Sequence, residues 1–232
     1  MTAALCAAAL TLCAAGAANF SLHDGFDAYT EGSPASGVWH PIAGTWDLHE
    51  GRYRGSSRYR AVALCASAPE SDGVTVEAIV RVQERLDGSG WSTAGVMVYV
   101  DGDNFWRFIL VASPEGQRYC ELGEMYQGVW QAHREGRTLL QGTKEGGDAW
   151  EYGRPYALRI ELTPDGIMGT MLDGETSKLL GRESYSFHDA PHLSSGRPAL
   201  GLSVGEPTPA RKPAGAPDGG LHGIQPEAVE FG

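Results

Sequence analysis

The feature that most constrains the fold of this chain is its division into short apolar runs separated by glycine, proline and aspartate. The pattern is already present in residues 26–55, where the Gly44-Thr45-Trp46 segment and a turn at Gly51 lie between apolar stretches. The chain has 32 glycines and 13 prolines, and because they separate apolar runs they indicate many turns rather than disorder. Short strands joined by frequent turns are typical of an all-β sandwich or barrel.

Alternation of apolar and polar residues identifies the central strands. In residues 74–82 every second residue is valine or alanine, so one face of the predicted strand is wholly apolar. Residues 94–100 and 105–113 are predicted to form a hairpin, because the Asp-Gly-Asp-Asn turn between them tolerates positive φ angles. A returning strand over residues 118–124 and another starting near Val129 would complete a meander of at least four strands.

Later segments continue the β pattern. Residues 156–163 alternate in polarity, and a Pro-Asp-Gly turn leads from them into residues 167–172, which predicts a second hairpin. Residues 198–204 supply a late core strand. Residues 228–231 alternate again and are predicted to form the closing strand, paired near residues 20–26 so that the two ends of the domain meet.

Length and composition favour a single β-sandwich domain over residues 19–232. The 232 residues are 42% hydrophobic, enough for one core, and sandwiches of this size commonly stay undivided. Residues 206–220 are rich in proline, alanine and glycine without apolar periodicity, and they are predicted to form a flexible insertion. No repeat of fixed period occurs in the sequence, which excludes propellers and solenoids.

The first 18 residues carry no charge and end in Ala15-Gly16-Ala17-Ala18, small residues of the kind that precede a signal-peptidase site. This stretch is too short to span a bilayer comfortably, and no later apolar stretch is long enough for a membrane helix. We expect residues 1–18 to be a signal peptide and the protein to be secreted or periplasmic. The first basic residue is Arg52, so the positive segment of a signal is missing, and a mobile alanine-rich N-terminus is the alternative.

Removal of that segment would leave two cysteines, Cys65 and Cys120, which an oxidising compartment could pair. A sequence does not supply the Cα separation that a disulfide needs. Two separately buried thiols are therefore the alternative.

The charge of the chain restricts its partners. The net charge is −11, and no cluster of lysine and arginine occurs. An acidic surface of this kind disfavours nucleic acid and anionic membranes. We expect a monomer that binds neither.

The order of these motifs resembles the concanavalin A-like lectin/glucanase superfamily, in particular the laminin-G-like jelly rolls of secreted bacterial proteins. The resemblance covers nearly all of residues 20–232 and is carried by scaffold motifs. They are Asp24-Gly25-Phe26, Gly44-Thr45-Trp46, residues 51–53, 74–82, 94–98, 103–108, 121–123, 128–130 and 156–161, and Ala199-Leu200-Gly201-Leu202. The resemblance implies a jelly-roll β-sandwich of two antiparallel sheets, extracellular carbohydrate recognition, sometimes glycan hydrolysis, and often a structural calcium ion.

The carboxylate spacing disfavours catalysis. Glycosidases need two carboxylates on the same side of one cleft, and the laminarinase-like enzymes of the superfamily place them at even spacings on one strand. The corresponding sequence here is Glu121-Leu122-Gly123-Glu124, which lacks the central aspartate and sends its two glutamates to opposite faces. Glu124 is expected to be a solvated or turn-proximal charge. No catalytic residue is assigned, and the main prediction is a lectin-like domain that binds a glycan without catalysis.

Two alternatives stay open. The Gly-Thr-Trp element is also similar to the 3-keto-disaccharide hydrolase branch (DUF1080-like), although the Asn-Ser-Gly motif of that branch is replaced by Ser92-Thr93-Ala94-Gly95. A hydrolase of that or the laminarinase-like type would use Glu77 or Glu121 on an outer face as its acid. The other alternative is a structural adhesion module without a small ligand. Convergent carboxylates in a deep cleft would favour the enzyme. A groove lined by aromatic residues would favour glycan binding, and a flat charged face would favour adhesion.

A candidate glycan-binding face follows from the alternation of the central strands. The residues expected in the core are Val96, Val98, Trp106, Phe108, Leu110, Cys120 and Leu122, and those expected on the outer face are Met97, Tyr99, Arg107, Ile109, Tyr119 and Glu121. Ile109 is expected opposite Glu121, which leaves Arg107 on a diagonal to that glutamate, with Tyr99 beside it. An aromatic ring can stack on the C–H face of a sugar while charged groups bond its hydroxyls. A surface ion pair with an aromatic neighbour is the alternative.

The tryptophans fall into two groups. Trp91 and Trp150 lie among glycine and polar residues, and they are predicted to be exposed loop aromatics that line one end of the glycan site. The remaining tryptophans fit core or hairpin-end positions. They are Trp39, Trp46, Trp106 and Trp130.

Four aspartates are weak candidates for a calcium site. Asp24, Asp27, Asp101 and Asp103 offer the hard oxygen ligands that calcium prefers. Aspartate is also a default residue of turns, so a purely structural role is the alternative.

Overall fold

The computed structural model describes residues 20–57, 60–83, 90–131, 141–147, 149–188, 190–204 and 227–231. The regular elements of these residues are strands. They are β1 (Trp39–Ala43), β2 (Thr45–His49), β3 (Arg52–Ser57), β4 (Arg60–Cys65), β5 (Val74–Val82), β6 (Ser92–Asp101), β7 (Asn104–Ala112), β8 (Arg118–Tyr126), β9 (Val129–Trp130), β10 (Gln141–Gly146), β11 (Tyr156–Thr163), β12 (Gly166–Asp173), β13 (Leu179–Ser186), β14 (Arg197–Val204) and β15 (Glu227–Phe231). The predicted signal peptide and the predicted insertion over 206–220 lie outside the described residues.

The strands form two antiparallel sheets. The seven-stranded sheet has the order β1-β4-β14-β6-β7-β8-β9, and the eight-stranded sheet has the order β10-β13-β12-β11-β5-β15-β3-β2. This arrangement confirms the predicted all-β sandwich. The predicted meander appears as β6 to β9, and the predicted second hairpin as β11 and β12. None of the described residues forms a helix with the length and hydropathy needed to cross a bilayer.

The core lies between the sheets and is filled by alternate residues of each strand. In β5 the valines and the alanine are buried, while the residues between them are partly exposed, as the sequence pattern predicts. The residues predicted to face the core from β6, β7 and β8 all belong to this main cluster. Because successive side chains of a strand point to opposite faces, the residues that alternate with these core residues lie on the outer face of the sheet.

The first described segment anchors one end of the core through an aromatic cluster. The buried carboxylate of Asp24 accepts hydrogen bonds from the Trp39 indole at 2.9 Å and from the Tyr29 hydroxyl at 2.7 Å. Phe26 stacks on Tyr53 with ring centroids 5.4 Å apart. The Asp24-Gly25-Phe26 motif, which contributes to the resemblance, therefore helps to pack this end of the core.

Two-residue turns fix the register of two hairpins. Glu50 and Gly51 have φ angles of 52° and 70° in the turn between β2 and β3. Gln127 and Gly128 have φ angles of 52° and 76° in the turn between β8 and β9. Positive φ at both central positions is the requirement of a type I′ turn, whose twist matches that of paired strands. The second of these turns places Trp130 directly opposite Met125.

β9 pairs only with the last residues of β8 and leaves the rest of that edge of β8 uncovered. Residues of the other sheet bond to this part of β8. The Cys120 amide donates to the Gly147 carbonyl at 2.8 Å, and the Leu122 amide donates to Glu183 Oε2 at 3.0 Å. Lys144 Nζ donates to the Cys120 carbonyl at 2.9 Å. Residues of β10, β13 and the segment after β10 thus use the backbone groups that β8 would otherwise leave open.

The closing strand has a different partner from the one predicted. β15 occupies residues 227–231, close to the predicted 228–231, but it pairs with β3 and β5. Residues 20–26 form no strand, so the predicted pairing near them was wrong. Alternation determines which face of a strand is buried, but it does not determine which strand lies beside it.

Of the two possibilities that the sequence left open for Cys65 and Cys120, the structure has the two separately buried thiols and not the disulfide. Cys65 and Cys120 are both free and buried. β14, β6 and β7 lie between their strands in the same sheet. Four strand spacings of about 4.8 Å separate the two cysteines by about 19 Å, far beyond the roughly 7 Å between Cα atoms that a disulfide can span. Burial raises the pKa of the Cys65 thiol.

Candidate functional site

A second apolar cluster lies on the outer face of the seven-stranded sheet, outside the main core. Its buried members are Val62, Met97, Phe105, Met125 and Ala199, and Leu64, Tyr99 and Trp130 pack against them. These residues point away from the opposite sheet, yet they cover one another from water. Side chains of this cluster and its neighbours line a shallow cavity of about 50 Å³. We call this cavity the outer groove; its lining residues are Arg60, Val62, Thr93, Met97, Phe105, Arg107, Ile109, Trp130, Gly201, Leu202 and Ser203.

Strand register explains how the outer groove is assembled. Met97 of β6 lies opposite Arg107 of β7, and Ile109 lies opposite Glu121 of β8, as predicted. Gly95 and Gly201 are direct partners in β6 and β14. Gly201 lines the groove without a side chain, whereas a Cβ at Gly95 would approach the core residue Leu158. A Cβ at Gly201 would lie 2.3 Å from Met97 Sδ, so the sulfur already occupies that space.

Arg60 shows that this face is strongly curved. By register Arg60 lies beside Ser203, which in turn pairs with Thr93. Its guanidinium nevertheless lies 5.7 Å from the ring centroid of Phe105, and Nη1 is 3.5 Å from the carbonyl oxygen of Gly102. Arg60 is thus level with Thr93 of β6, whereas Phe105 is level with its partner Tyr99 of the same strand. Thr93 and Tyr99 are six residues apart, which on a flat sheet is about 20 Å and longer than an arginine side chain. The sheet therefore bends around the groove, and Arg60 extends across it.

Arg107 is the charged group at the centre of the groove. Its guanidinium carbon lies 4.2 Å from the ring centroid of Trp130, and Nη2 is 3.4 Å from Glu121 Oε1. The Arg107 side chain is only 16% exposed, and among the described residues its buried Nε has no hydrogen-bond partner. Burial lowers the pKa of Arg107, and the carboxylate of Glu121 opposes that shift. A buried N–H donor without an acceptor destabilises the folded protein, so a ligand atom that accepts this hydrogen bond would be favoured at the site.

The two tyrosines of the predicted face lie on either side of this centre. Tyr99 stacks on Phe105 with ring centroids 6.1 Å apart, and burial raises its pKa. Tyr119 lies 5.4 Å from Lys144 Nζ, and burial together with the charge of Glu121 raises its pKa. The structure therefore gathers Tyr99, Arg107, Glu121 and Tyr119 on one face, although Tyr99 lies diagonal to Arg107 rather than directly beside it.

The two predicted loop tryptophans differ from each other. Trp91 is 39% exposed and directly precedes β6. Trp150 is only 2% exposed, and its indole donates to the Val111 carbonyl at 2.9 Å. The prediction that Trp150 is an exposed aromatic at one end of the site was wrong, because the indole N–H has found a backbone acceptor inside the protein.

Sequence reasoning missed most residues that line the groove, including Arg60, the two aromatic rings of Phe105 and Trp130, and the hydroxyls of Thr93 and Ser203. Trp130 was expected at a hairpin end, and it does lie in a two-residue strand after a turn. The Gln127-Gly128 turn was the signal that could have placed it, because a two-residue hairpin fixes Trp130 opposite Met125 and so on the face of Phe105. Phe105 shares the parity of Arg107 within β7. No sequence signal indicates that Arg60 crosses the groove.

The four aspartates considered for calcium do not form a site in the described residues. Both oxygens of Asp24 accept hydrogen bonds within the aromatic cluster. Asp101 Oδ1 accepts from the Asp103 amide at 2.8 Å and from the Asn104 side chain at 2.9 Å, which closes the turn before β7. Across the described ranges, no three His, Cys, Asp or Glu side chains are placed to hold a metal ion together.

The remaining glutamates occupy distinct places. Glu121 and Glu124 face opposite sides of β8 as predicted, but Glu124 is fully buried, and its Oε1 accepts from the Leu193 amide at 2.6 Å. The expectation that Glu124 is solvated or beside a turn was wrong. Glu183 lies against the edge of β8, where burial and the charge of Glu121 raise its pKa. Glu77 lies on the eight-stranded sheet opposite Arg159, away from Glu121.

No protein-family model matches the chain, and no curated protein sequence matches it. Among solved structures, the chain is similar to a Bacillus licheniformis beta-glucanase, with a TM-score of 0.53 and 11% identity over 89% of this chain and 92% of that one. It is also similar to the GH43 protein BlXynB from Bacillus licheniformis, with a TM-score of 0.51 and 14% identity over 86% of this chain. The match spans 37% of BlXynB.

A carbohydrate-binding module, CBM66 from Bacillus subtilis, matches 72% of this chain and 92% of its own length, with a TM-score of 0.49 and 15% identity. At such identities the comparisons bear on the fold alone. The chain has the concanavalin A-like jelly-roll fold that the sequence motifs predicted. The laminin-G-like and DUF1080-like resemblances stay predictions.

Proposed function

We propose that this protein is a non-catalytic carbohydrate-binding domain and that the outer groove is its binding surface. The observation that carries the proposal is Arg107, a nearly buried guanidinium held against Trp130 with its Nε lacking a hydrogen-bond partner among the described residues. The Nε atoms of Arg81 and Arg159 on the other sheet also lack a partner among the described residues, but Arg107 is the one of the three that lines the groove. A sugar hydroxyl or ring oxygen reaching into the groove would supply the missing acceptor.

The groove combines the two kinds of contact that sugars use. Trp130 presents an aromatic surface for the C–H face of a pyranose ring, and Met97 and Ile109 extend that apolar surface. At the opposite end the hydroxyls of Thr93 and Ser203 are 2.7 Å apart, and each can exchange its partner for a sugar hydroxyl. Glu121 is available to accept from a further hydroxyl. The fold is shared with a protein named beta-glucanase, which is compatible with a carbohydrate ligand.

The proposal is tested with the full chain on a glycan array, followed by titration of a bound glycan against Trp130→Ala. Loss of the aromatic surface is expected to weaken binding by about tenfold or more, the usual effect of an aromatic residue at the centre of an interface. Val129→Ala is the matched control, because Val129 is the exposed neighbour of Trp130 in β9 and does not line the groove. It should change the affinity by less than about twofold, since surface contacts outside the interface centre contribute little.

Two outcomes would contradict the proposal. One is a wild-type protein that binds no glycan on the array. The other is a Trp130→Ala variant that melts cooperatively and binds with wild-type affinity. The melting curve separates loss of binding from loss of folding.

Glycoside hydrolysis is a second candidate, favoured by the position of Glu183. This carboxylate lies at the β8 edge with its pKa raised by burial and by the charge of Glu121. A carboxyl group with a raised pKa beside a second carboxyl group is the arrangement that glycosidases require. A reducing-sugar release assay on each glycan bound by the array tests it. Activity that disappears in Glu183→Gln would replace the non-catalytic proposal, whereas no sugar release would support it.

A carbohydrate ligand fits an extracellular location, and we place the mature protein outside the cytoplasm with residues 1–18 removed. The support is the uncharged, alanine-rich composition of that segment and its small residues before position 19. N-terminal sequencing of the protein recovered from the medium or periplasm should begin near Asn19. A mature protein that begins at Met1 would contradict this placement.

A further inference from the structure

The outer groove carries two cations in a chain that is strongly acidic overall. Arg60 and Arg107 both line it, while the chain as a whole has a net charge of −11. No aspartate or glutamate occurs among the described residues that line the groove. The sign of the charge inside the groove is therefore opposite to that of the protein around it.

Across the described part of the chain, neutralisation of these two cations is incomplete. Arg107 has one ion pair, to Glu121, at 3.4 Å, and the carboxylate side chain is 39% exposed. Arg60 donates only to the neutral carbonyl of Gly102, at 3.5 Å, and it makes no ion pair with any described residue. Among the described residues, the two cations therefore share one carboxylate, which is itself partly exposed.

The two guanidiniums also disfavour each other. Burial is the main cause of the lowered pKa of Arg107, and the positive charge of Arg60 lowers that pKa further. Like charges near one another in a partly buried site are stabilised when an anion comes between them, because each cation then gains an attractive partner. Arg60 extends across the groove, so such an anion would lie under its guanidinium and within reach of Arg107.

We propose that the outer groove selects carboxylated carbohydrates, meaning glycans that contain uronate residues. The inference deepens the proposed function and rests on it. The two arginines would bind the carboxylate of one sugar through charge-assisted hydrogen bonds. Trp130 would stack on the ring that bears this carboxylate, and the hydroxyls of Thr93 and Ser203 would bind the next sugar. The combination of an aromatic surface, hydroxyls and paired cations suits an acidic sugar better than an acidic peptide, which has no rigid C–H face to stack.

Calorimetric titration with matched oligosaccharides tests this selectivity. The probes are hexagalacturonate and hexamannuronate, each compared with its fully methyl-esterified form, which keeps the sugar ring and removes the charge. For at least one of the two sugars, the acid form should bind about tenfold tighter than its ester, the effect of one additional charge-assisted hydrogen bond.

Two arginine variants show where the selectivity originates. Arg60→Gln should reduce the preference for the acid form to less than about threefold while the affinity for the ester stays within about twofold of wild type, because only the charged ligand uses that cation. Arg182→Gln is the control, since Arg182 is exposed in β13 of the other sheet. It should leave both affinities unchanged.

Each contrary outcome has a separate meaning. Equal affinity for acid and ester forms overturns the inference and leaves the proposed function in place. The same conclusion holds if neither uronate binds while neutral glycans on the array do. Absence of binding to every glycan overturns both proposals. Hexaglutamate binding as tightly as the acid oligosaccharides would show that the groove takes carboxylates without regard to sugar, which also overturns the inference.

Discussion

The two outer faces of the sandwich obey the same alternation rule but carry different chemistry. On the seven-stranded sheet, Met97 and Phe105 point outward and are nevertheless buried in a cluster of their own. On the eight-stranded sheet, several outward positions hold charges that are paired within the sheet. Arg159 donates to Glu161 at 2.8 Å, and Arg54 forms two hydrogen bonds to Asp47 at 2.9 and 3.0 Å.

This difference shows which face needs an explanation beyond the fold. A sandwich is completed by its inner faces, and a solvated outer face requires only polar residues. The eight-stranded sheet meets that requirement in part with ion pairs such as these two. The seven-stranded sheet instead buries apolar groups outside the core and leaves cations in excess. The seven-stranded sheet is therefore the face on which a ligand is expected.

A pair of methionines gives the most direct test of the contrast. Met97 is buried at the centre of one outer face, and Met168 is partly exposed on the other. Met97→Ala should lower the free energy of unfolding by about 2–3 kcal/mol, because it opens a cavity among packed residues. Met168→Ala should lower it by less than about 0.5 kcal/mol, as expected of a surface position. Urea unfolding of both variants measures this difference, and equal losses would contradict the idea of a second packed cluster.

Acid is expected to act on the eight-stranded sheet through Asp173. Hydrogen bonds from the amide and hydroxyl of Thr176, and also Arg154, hold the pKa of Asp173 at about 2, below its usual value of 3.8. A carboxylate whose pKa is lower in the folded state stabilises the fold above pH 3.8 and loses that contribution as the pH falls from 3.8 through 2.

Unfolding midpoints in urea at pH 5, 4 and 3 should therefore decline more steeply for the wild type than for Asp173→Asn. Parallel declines would show that Asp173 does not contribute to the acid sensitivity. Met97→Ala serves as the reference here, because its loss of stability should be the same at all three pH values.

The smallest effect is expected from the ion pairs of the eight-stranded sheet. Arg159→Gln removes the partner of Glu161 on a face where the arginine side chain is 42% exposed. Its effect on the free energy of unfolding should stay below about 1 kcal/mol, because solvent screens such pairs. Binding of any glycan retained by the wild type should be unchanged, as measured by the same titration. A loss of affinity in this variant would move the binding surface to the other face.

Local pattern was sufficient to predict the central strands and their faces. The alternation in β5, β6, β7 and β8 assigned the core residues correctly, and it placed Ile109 opposite Glu121. These strands are joined by short turns, so their register depends on residues close together in the sequence. The part of the site built by this meander, Arg107 with Glu121 and Tyr99, was therefore accessible from the sequence.

The rest depends on contacts between residues far apart in the chain. Alternation did not specify that β15 lies between β3 and β5, since many strands offer an equivalent face. The burial of Trp150 depends on the carbonyl of Val111, which lies 39 positions earlier in the chain. Arg60 reaches Phe105 only because the sheet bends, and a sequence of alternating residues contains no measure of that curvature. The prediction failed where the position of a side chain is decided by three-dimensional curvature rather than by pleating.

The hydrogen bonds between the edge of β8 and the other sheet have a consequence for association with other protein chains. Because Gly147, Lys144 and Glu183 bond the backbone groups of Cys120 and the amide of Leu122, these groups of β8 are not open to pairing with a strand from another molecule. Since these backbone groups are already bonded, β8 does not require a long strand beside it. β9 is only two residues long, and it ends at Trp130, whose ring lies over Arg107. Protection against unwanted strand addition and the freedom to devote a hairpin to recognition thus come from the same three hydrogen bonds.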